Sequence, residues 1–116
     1  AKLFGDENSW HKILCAETPN EAKKLGRGVC GYHEDVWRSN RFLIVVKGNT
    51  AKFGQNPKMG KVLKETKNKY LVEASPYDKI WGIGLSQNDP RAHDPRKWQG
   101  LNLLGFALQE VREDLS

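Results

Sequence analysis

The segment Glu73–Leu85, with the sequence EASPYDKIWGIGL, constrains the fold more than any other part of the chain. It combines acids, aromatic residues, a Ser-Pro turn and two glycines, a mixture that favours a shaped loop over a helix or a strand. Gly82 and Gly84 lack a Cβ atom, so a ligand can approach their backbone closely. We therefore predict a loop that holds binding or catalytic side chains between two anchored elements.

Length and charge predict one soluble globular domain over residues 1–116. A chain of 116 residues buries about two thirds of the surface that its unfolded form exposes, which provides a core without disulfides. No apolar run approaches the roughly 20 residues that a membrane span requires. The net charge of +5 favours a phosphorylated ligand or an acidic polymer without requiring either.

The cysteines and histidines do not predict a metal or redox centre. Cys15 and Cys30 lie too far apart for a Cys-x-x-Cys pair, and the three histidines are scattered singly along the chain. We interpret both cysteines as buried or half-buried thiols of an intracellular protein. We therefore expect a cytoplasmic protein with no metal and no cofactor.

Capping sequences and apolar periodicity predict a mainly helical chain. The expected helices run from Asp6 or Glu7 to near Glu17, from Thr18 to Gly26, from Glu34 to about Gln55, and from Lys58 to Lys67. A closing helix has an apolar face made of Leu101, Leu104, Leu108, Val111 and Leu115. The helix that begins at Glu34 is expected to lie in the core, because its apolar residues from Val36 to Phe53 follow a helical period.

One short strand is predicted directly before the loop. Lys69–Ala74, with the sequence KYLVEA, is rich in the β-branched and aromatic residues that suit a strand. Together with the helices, it predicts a mainly α fold of α+β character, namely a compact helical domain with a few short β-strands.

The loop offers two carboxylates for chemistry. Asp78 has Tyr77 beside it and Trp81 three residues further on, while Glu73 opens the loop. A carboxylate near an aromatic wall suits cleavage of a glycosidic bond, because negative charge stabilises the oxocarbenium-like transition state. The alternatives are structural: an Asp in such a turn often caps its own backbone, and Glu73 can pair with a nearby Lys or Arg.

Arg27 and Trp37 each have two interpretations. Arg27 lies in the turn after the second helix, where its guanidinium either binds a phosphate or balances the helix dipole. Trp37 lies near the start of the long helix, where a tryptophan either packs in the core or supports a ligand.

Six blocks of the sequence closely resemble the NADAR family, also called YbiA-like. They are LFGD at 3–6, GR at 26–27, Trp37, AKFGQN at 51–56, LVEASPYDKIWGIGL at 71–85 and KWQGLNLLGFALQEVR at 97–112. The blocks cover nearly the whole chain in the family's order, and the last two are long enough to be specific.

The resemblance implies a compact, mostly helical domain that hydrolyses N-glycosidic bonds. Members of the family act on ribosylamino-pyrimidine intermediates of riboflavin synthesis, and others remove ADP-ribose from guanine bases in nucleic acid. Both kinds of substrate join a phosphorylated ribose to a nitrogen base. The expected partners are therefore such a ribosyl compound or ADP-ribosylated nucleic acid, and not a membrane.

The resemblance also implies roles for residues of this chain. Activity is expected to depend on Asp78 and Trp37, while Glu73 is a catalytic candidate from its place in the loop. The expected substrate-binding residues are Trp81, Gly82, Asn102, Arg27, Lys52 and, from its place beside Asp78, Tyr77. Asn102 is expected to bond ribose hydroxyls. Arg27 and Lys52 are expected to face the phosphate, with a surface helix charge as the alternative for Lys52.

The chain is expected to be incomplete at its N-terminus relative to the family. Members carry an N-terminal portion with a Glu and a Lys before the LFGD block, and Lys2 is offset by two residues from that Lys. The prediction is a hydrolase of the N-glycosidic bond of a phosphorylated ribosyl compound. The alternative is a non-catalytic module that binds ADP-ribose or a nucleotide.

Overall fold

Residues 1–115 are described by the structure, a computed structural model, and they fold into helices and loops. The α-helices in this range are α1 (Glu7–Leu14), α2 (Pro19–Arg27), α3 (Glu34–Gln55), α4 (Pro57–Glu65) and α5 (Leu103–Leu115). Short 3-10 helices lie at Lys2–Phe4, Pro90–His93 and Pro95–Lys97.

The prediction of a mainly α fold is confirmed, whereas the prediction of a few short β-strands is wrong, because residues 1–115 contain no strand. Over the same range, no helix is both long and apolar enough to cross a membrane.

Side-chain caps start the first two helices where the sequence predicts them. Asp6 Oδ1 accepts a hydrogen bond from Ser9 N at 3.0 Å, and Thr18 Oγ1 accepts one from Glu21 N at 3.1 Å. These bonds satisfy N–H groups that have no partner within the helix itself. Local sequence therefore determines where α1 and α2 begin.

The chain divides into two compact units, Ala1–Ser39 and Asn40–Ser116. In the first unit, α1 packs against α2. The second carboxylate oxygen of Asp6, Oδ2, accepts a hydrogen bond from Cys30 N at 2.8 Å. Asp6 therefore ties the start of α1 to the segment that follows α2.

These bonds give Asp6 a pH-dependent role. The N–H of Cys30, followed by Ser9, lowers the pKa of Asp6 to about 2. Because an unfolded aspartate has a pKa of about 4, the stabilisation by Asp6 is present above that pH and is lost as the pH falls towards 2. We predict that Asp6→Asn is less stable than the wild type at neutral pH and that the difference shrinks in acid. Urea unfolding at several pH values measures this, and a difference that stays constant down to about pH 2 would contradict it.

The core of the second unit is built from three parts of the chain. Its buried apolar side chains are Leu63 from α4, Ile83 and Leu85 from the central loop, and Ala107 and Val111 from α5. The loop therefore contributes to the core instead of lying over it.

Two expectations about burial are wrong. The bounds of α3 are as predicted, but no residue of this helix is buried, and Leu43 of the expected core stripe is 70% exposed. Residues 1–115 leave most of the Leu43 surface uncovered, so the apolar period indicates a helix without indicating its burial. Cys15 and Cys30 are likewise exposed.

The segment predicted to be a strand pairs with side chains instead of with another strand. Within Lys69–Glu73, which we call the strip, the main-chain groups of alternate residues bond to α5 and to the residue before it. The bonds join Lys69 O to Arg112 Nη1 (2.9 Å), Leu71 N to Gln109 Oε1 (3.1 Å), Leu71 O to Asn102 Nδ2 (3.0 Å) and Glu73 N to Asn102 Oδ1 (3.0 Å). Side-chain groups thus take the place of a neighbouring strand.

The spacing of the polar residues on α5 explains this pairing. One face of α5, which we call its polar face, includes the residue before the helix. Its members follow one another at intervals of three or four positions, and they are Asn102, Gly105, Gln109 and Arg112. Ten helical residues span about 15 Å, and four steps of extended chain span about 13 Å. Because the two lengths match, alternate residues of the strip meet successive turns of the helix.

Gly105 allows the strip to approach α5 closely, and its substitution tests this packing. A Cβ atom at Gly105 would overlap the carbonyl oxygen of Leu71 and would meet the amide of Asn102. We predict that Gly105→Ala lowers the free energy of unfolding by about 1–3 kcal/mol, the usual cost of overpacking.

Gly48→Ala, within α3, is the matched control for this substitution. Apart from its chain neighbours and the nearby backbone of α3, no atom of residues 1–115 lies within 4 Å of the Cβ position at Gly48, and alanine favours a helix over glycine by up to about 1 kcal/mol. This variant should therefore be as stable as the wild type or more stable. Equal destabilisation of both variants in urea unfolding would contradict the close packing at Gly105.

Candidate active site

The central loop, Glu73–Leu85, is held by main-chain hydrogen bonds to the segment before α5. At 2.9 Å each, Gln99 N donates to Ile83 O, Leu101 N to Lys79 O, and Asn102 N to Gly82 O. Gly82–Leu85 are all buried although they form no helix or strand, and these bonds satisfy polar groups that burial would otherwise leave unpaired. The predicted loop is confirmed, but its last four residues are buried.

The first turn of α5 completes the attachment of the loop. Leu103 N donates to Ile80 O at 3.2 Å, and Leu104 N donates to Trp81 O at 3.1 Å. The first N–H groups of a helix lack partners within that helix. The loop therefore caps α5, and α5 in turn fixes the loop.

Asp78 closes its own turn within the loop. Its Oδ1 accepts hydrogen bonds from Ile80 N at 3.0 Å and from Trp81 N at 2.8 Å. Its carbonyl oxygen accepts a further bond from Gly84 N at 3.2 Å. The structural alternative therefore holds for Oδ1. The other carboxylate oxygen, Oδ2, has no hydrogen-bond partner within residues 1–115.

Glu73 is fixed through its main chain and not through its side chain. Its carbonyl oxygen accepts hydrogen bonds from Ser75 N and Ile83 N, each at 3.0 Å, and its N–H donates to Asn102 Oδ1. In the part of the chain that the structure describes, its carboxylate forms no hydrogen bond and no ion pair with a Lys or Arg. This half-buried residue therefore combines a fixed backbone with an unpaired carboxylate.

Gly82 brings the two acidic residues together. A Cβ atom at Gly82 would lie 2.8 Å from the carbonyl oxygen of Glu73 and 2.8 Å from that of Asp78. The main chains of both acids therefore lie against Gly82. The close approach that the sequence predicts at this glycine is made by protein backbone, and contact of Gly82 with a ligand stays a prediction.

The acids of the loop are not part of a metal-binding cluster. Among the residues with described positions, no three His, Cys, Asp or Glu side chains are grouped so that they could hold a metal ion. The loop presents its carboxylates singly.

The other predicted binding residues of the second unit differ in exposure. Tyr77 is 96% exposed, and Trp81 is half-buried. Lys52 is exposed, with its ammonium group 5.8 Å from the centre of the Phe53 ring, and its contact with a phosphate stays a prediction. Asn102 is fully buried, and both of its amide atoms bond to the strip. The expected bond between Asn102 and ribose hydroxyls is therefore corrected to a bond with the backbone.

Arg27 and Trp37 lie in the first unit, each at a recess. Arg27 and Lys23 line a recess of about 350 Å³, and Trp37 and Phe4 line another of about 280 Å³. Tyr32 borders both recesses. Cations beside aromatic rings suit a ligand that combines a phosphate with a flat base.

Sequence reasoning missed Lys23 and Tyr32 as lining residues and missed the bonding role of the polar face of α5. Lys23 and Tyr32 belong to no recognisable sequence motif. The polar face carried a signal, because Asn102, Gln109 and Arg112 keep a helical period beside an apolar stripe. Polar residues at such buried or half-buried positions need hydrogen-bond partners.

The chain matches the NADAR domain family over residues 1–116. It therefore belongs to this family, as the six sequence blocks indicate.

Relatives of the chain include proteins named N-glycosidases. Over 114 residues it is 46% identical to N-glycosidase R617 of Acanthamoeba polyphaga mimivirus, covering 98% of this chain and 67% of that protein. Over 116 residues it is 30% identical to N-glycosidase YbiA of Escherichia coli strain K12, covering 100% of this chain and 66% of that protein. Over 108 residues it is 32% identical to the chloroplastic riboflavin biosynthesis protein PYRR of Zea mays, covering 90% of this chain and 16% of that protein.

These names agree with the predicted enzyme class, an N-glycosyl hydrolase of the NADAR family. The chain spans about two thirds of the length of the two N-glycosidases that it matches.

The capping role of Asp78 is separable from its charge by two substitutions. Asp78→Ala removes the acceptor of two N–H groups and should lower the free energy of unfolding by about 1–2 kcal/mol. Asp78→Asn keeps an oxygen at the Oδ1 position and should retain most of the wild-type stability. Urea unfolding measures both variants, and an equal loss in the two would contradict the capping role.

Proposed function

We propose that this protein hydrolyses the N-glycosidic bond of a phosphorylated ribosyl compound. The arrangement at Gly82 carries the proposal. There, the main chains of Glu73 and Asp78 meet, and each of these acids has a carboxylate oxygen without a partner in residues 1–115. Membership of a family with members named N-glycosidases supports it.

The proposed reaction divides the work between the two acids. Asp78 Oδ2 faces the anomeric carbon and stabilises the positive charge that develops there. The Glu73 carboxylate accepts a proton from a water molecule, whose oxygen bonds to that carbon. The carbon–nitrogen bond breaks, and its electron pair leaves with the base. The base then takes up the proton that Glu73 accepted. The products are the free base and the phosphorylated sugar with a new hydroxyl group.

Aromatic and cationic residues are proposed as ligand contacts in each unit separately. The main-chain N–H of Trp81 bonds to Asp78 and holds Trp81 beside it. Its ring is available to contact the sugar or the base. In the first unit, Trp37 is proposed to stack on a nitrogen base, and Arg27 with Lys23 to bind phosphate. Within the first unit, Trp37, Arg27 and Lys23 combine aromatic surface with positive charge, which suits a ligand that carries a base and a phosphate.

Two classes of substrate satisfy this chemistry. One is a ribosylamino-pyrimidine phosphate of the kind formed in riboflavin synthesis, and the other is ADP-ribose attached to guanine in nucleic acid. The Zea mays relative is named a riboflavin biosynthesis protein. Its name favours the first class.

A non-catalytic module that binds ADP-ribose or a nucleotide is the second candidate. One observation favours it, namely that Asp78 Oδ1 caps the turn. An aspartate with this structural role is useful in a binding protein as well as in an enzyme.

Release of free base tests the proposal. The protein is incubated with a ribosylamino-pyrimidine phosphate or with an ADP-ribosyl-guanine oligonucleotide, and products are identified by mass spectrometry. We expect the wild type to release base from the ribosylamino-pyrimidine phosphate. In Asp78→Asn the rate of this release should fall about 100-fold or more, as for loss of a catalytic carboxylate. Asp114→Asn, at an exposed position in α5, removes the same charge and should keep the wild-type rate.

The other outcomes of this experiment distinguish the candidates. Release from the oligonucleotide alone would support the enzyme and move its substrate to nucleic acid. Binding of ADP-ribose without release from either substrate would support the binding module. Equal release by the wild type and Asp78→Asn would contradict the role given to Asp78.

A further inference from the structure

Asn102 lies where the strip, the central loop and α5 meet. It is fully buried, with its amide oxygen 3.0 Å from Glu73 N and its amide nitrogen 3.0 Å from Leu71 O. Its main-chain N–H donates to Gly82 O at 2.9 Å. This one residue therefore contacts both the backbone of Glu73 and the glycine against which the two acids lie.

An asparagine amide is suited to this double contact. It carries a donor and an acceptor side by side, as a peptide group does. It can therefore bond the Leu71 carbonyl and the Glu73 N–H as an adjacent β-strand would. Gln109 and Arg112 bond the strip further from Glu73, at Leu71 and Lys69.

The backbone of Asn102 adds a second constraint on the residue at this position. Its φ is 52°, in the left-handed region that glycine adopts freely and that asparagine tolerates better than most other residues. Glycine would fit this conformation but would lose both amide bonds. Asparagine satisfies the backbone and also supplies the donor and the acceptor.

We propose that Asn102 is a positioning residue for the N-glycosidase reaction, holding the Glu73 backbone in place relative to Asp78. This inference rests on the proposed function, because it concerns the two acids of that reaction. Asn102 acts through Glu73, whereas Asp78 is held by its own turn. A catalytic group that moves by about 1 Å can lower a rate about 100-fold.

Asn102→Asp tests this role because it keeps the size and the acceptor but removes the donor. When its carboxyl group is ionised, two acceptors face each other at Leu71 O. Their repulsion moves the side chain away from the strip, so the Glu73 N–H loses its partner as well, and protonation restores a donor. We expect kcat to fall about 10- to 100-fold at neutral pH with KM changed less than about twofold. The ratio of variant kcat to wild-type kcat should then rise as the pH falls.

Gln109→Met is the matched control. It removes the acceptor of Leu71 N and leaves the bond to Glu73 N in place. This variant should lose stability but keep its kcat and show no recovery in acid. If Asn102→Asp raised KM without lowering kcat, the positioning role would be overturned in favour of direct contact with substrate.

A further variant covers the case in which Asn102→Asp does not fold. Asn102→Gly fits the left-handed backbone and removes both amide bonds. It should show the same fall in kcat without recovery in acid. A wild-type kcat in this variant would overturn the proposal.

Amide hydrogen exchange separates failure of this inference from failure of the proposed function. In Asn102→Gly, which removes the acceptor of the Glu73 N–H, this N–H should exchange about tenfold faster or more, whereas the Trp81 N–H, bonded to Asp78, should not change. That result, in a protein that releases no base, would support the positioning of Glu73 and overturn the proposed reaction. Unchanged exchange at Glu73 would overturn the positioning role whatever the activity.

Discussion

The buried amide of Asn102 is the interaction on which the second unit depends. It bonds the strip through Leu71 O and Glu73 N, while its own backbone bonds the central loop at Gly82 O. Removing the amide would leave a donor and an acceptor of the strip unpaired, at about 1–3 kcal/mol for each buried group. Because the loop also caps α5, the strip, the loop and the helix hold one another in place around Gly82.

The sequence was sufficient to predict the helices because their signals are local. Thr18 and Asp6 cap the helices that follow them, and apolar periodicity gave the bounds of α3. The strand was predicted wrongly because β-branched and aromatic content favours extended chain without specifying its partner. The partners of the strip come from α5 and the residue before it, about thirty to forty residues later along the chain, and local propensity contains no information on them.

The candidate site was predictable in part. The composition of the loop identified Asp78 and Glu73, and their meeting at Gly82 follows from backbone packing that no local pattern contains. The turn-capping role of Asp78 was the alternative that its sequence context left open. Asn102 was given the wrong bonding partners because a motif match fixes a position in the chain and not the atoms around it. Its fully buried state became evident only from the tertiary packing.

Native-state amide hydrogen exchange along the strip is the most direct test of how the acids are held. We expect the N–H groups of Leu71 and Glu73 to exchange slowly, because they bond to Gln109 and Asn102. Those of Tyr70 and Val72 have no partner in residues 1–115 and should exchange fast. Fast exchange at all four residues would show that α5 does not hold the strip. Equal protection of all four would show that a partner strand pairs with it.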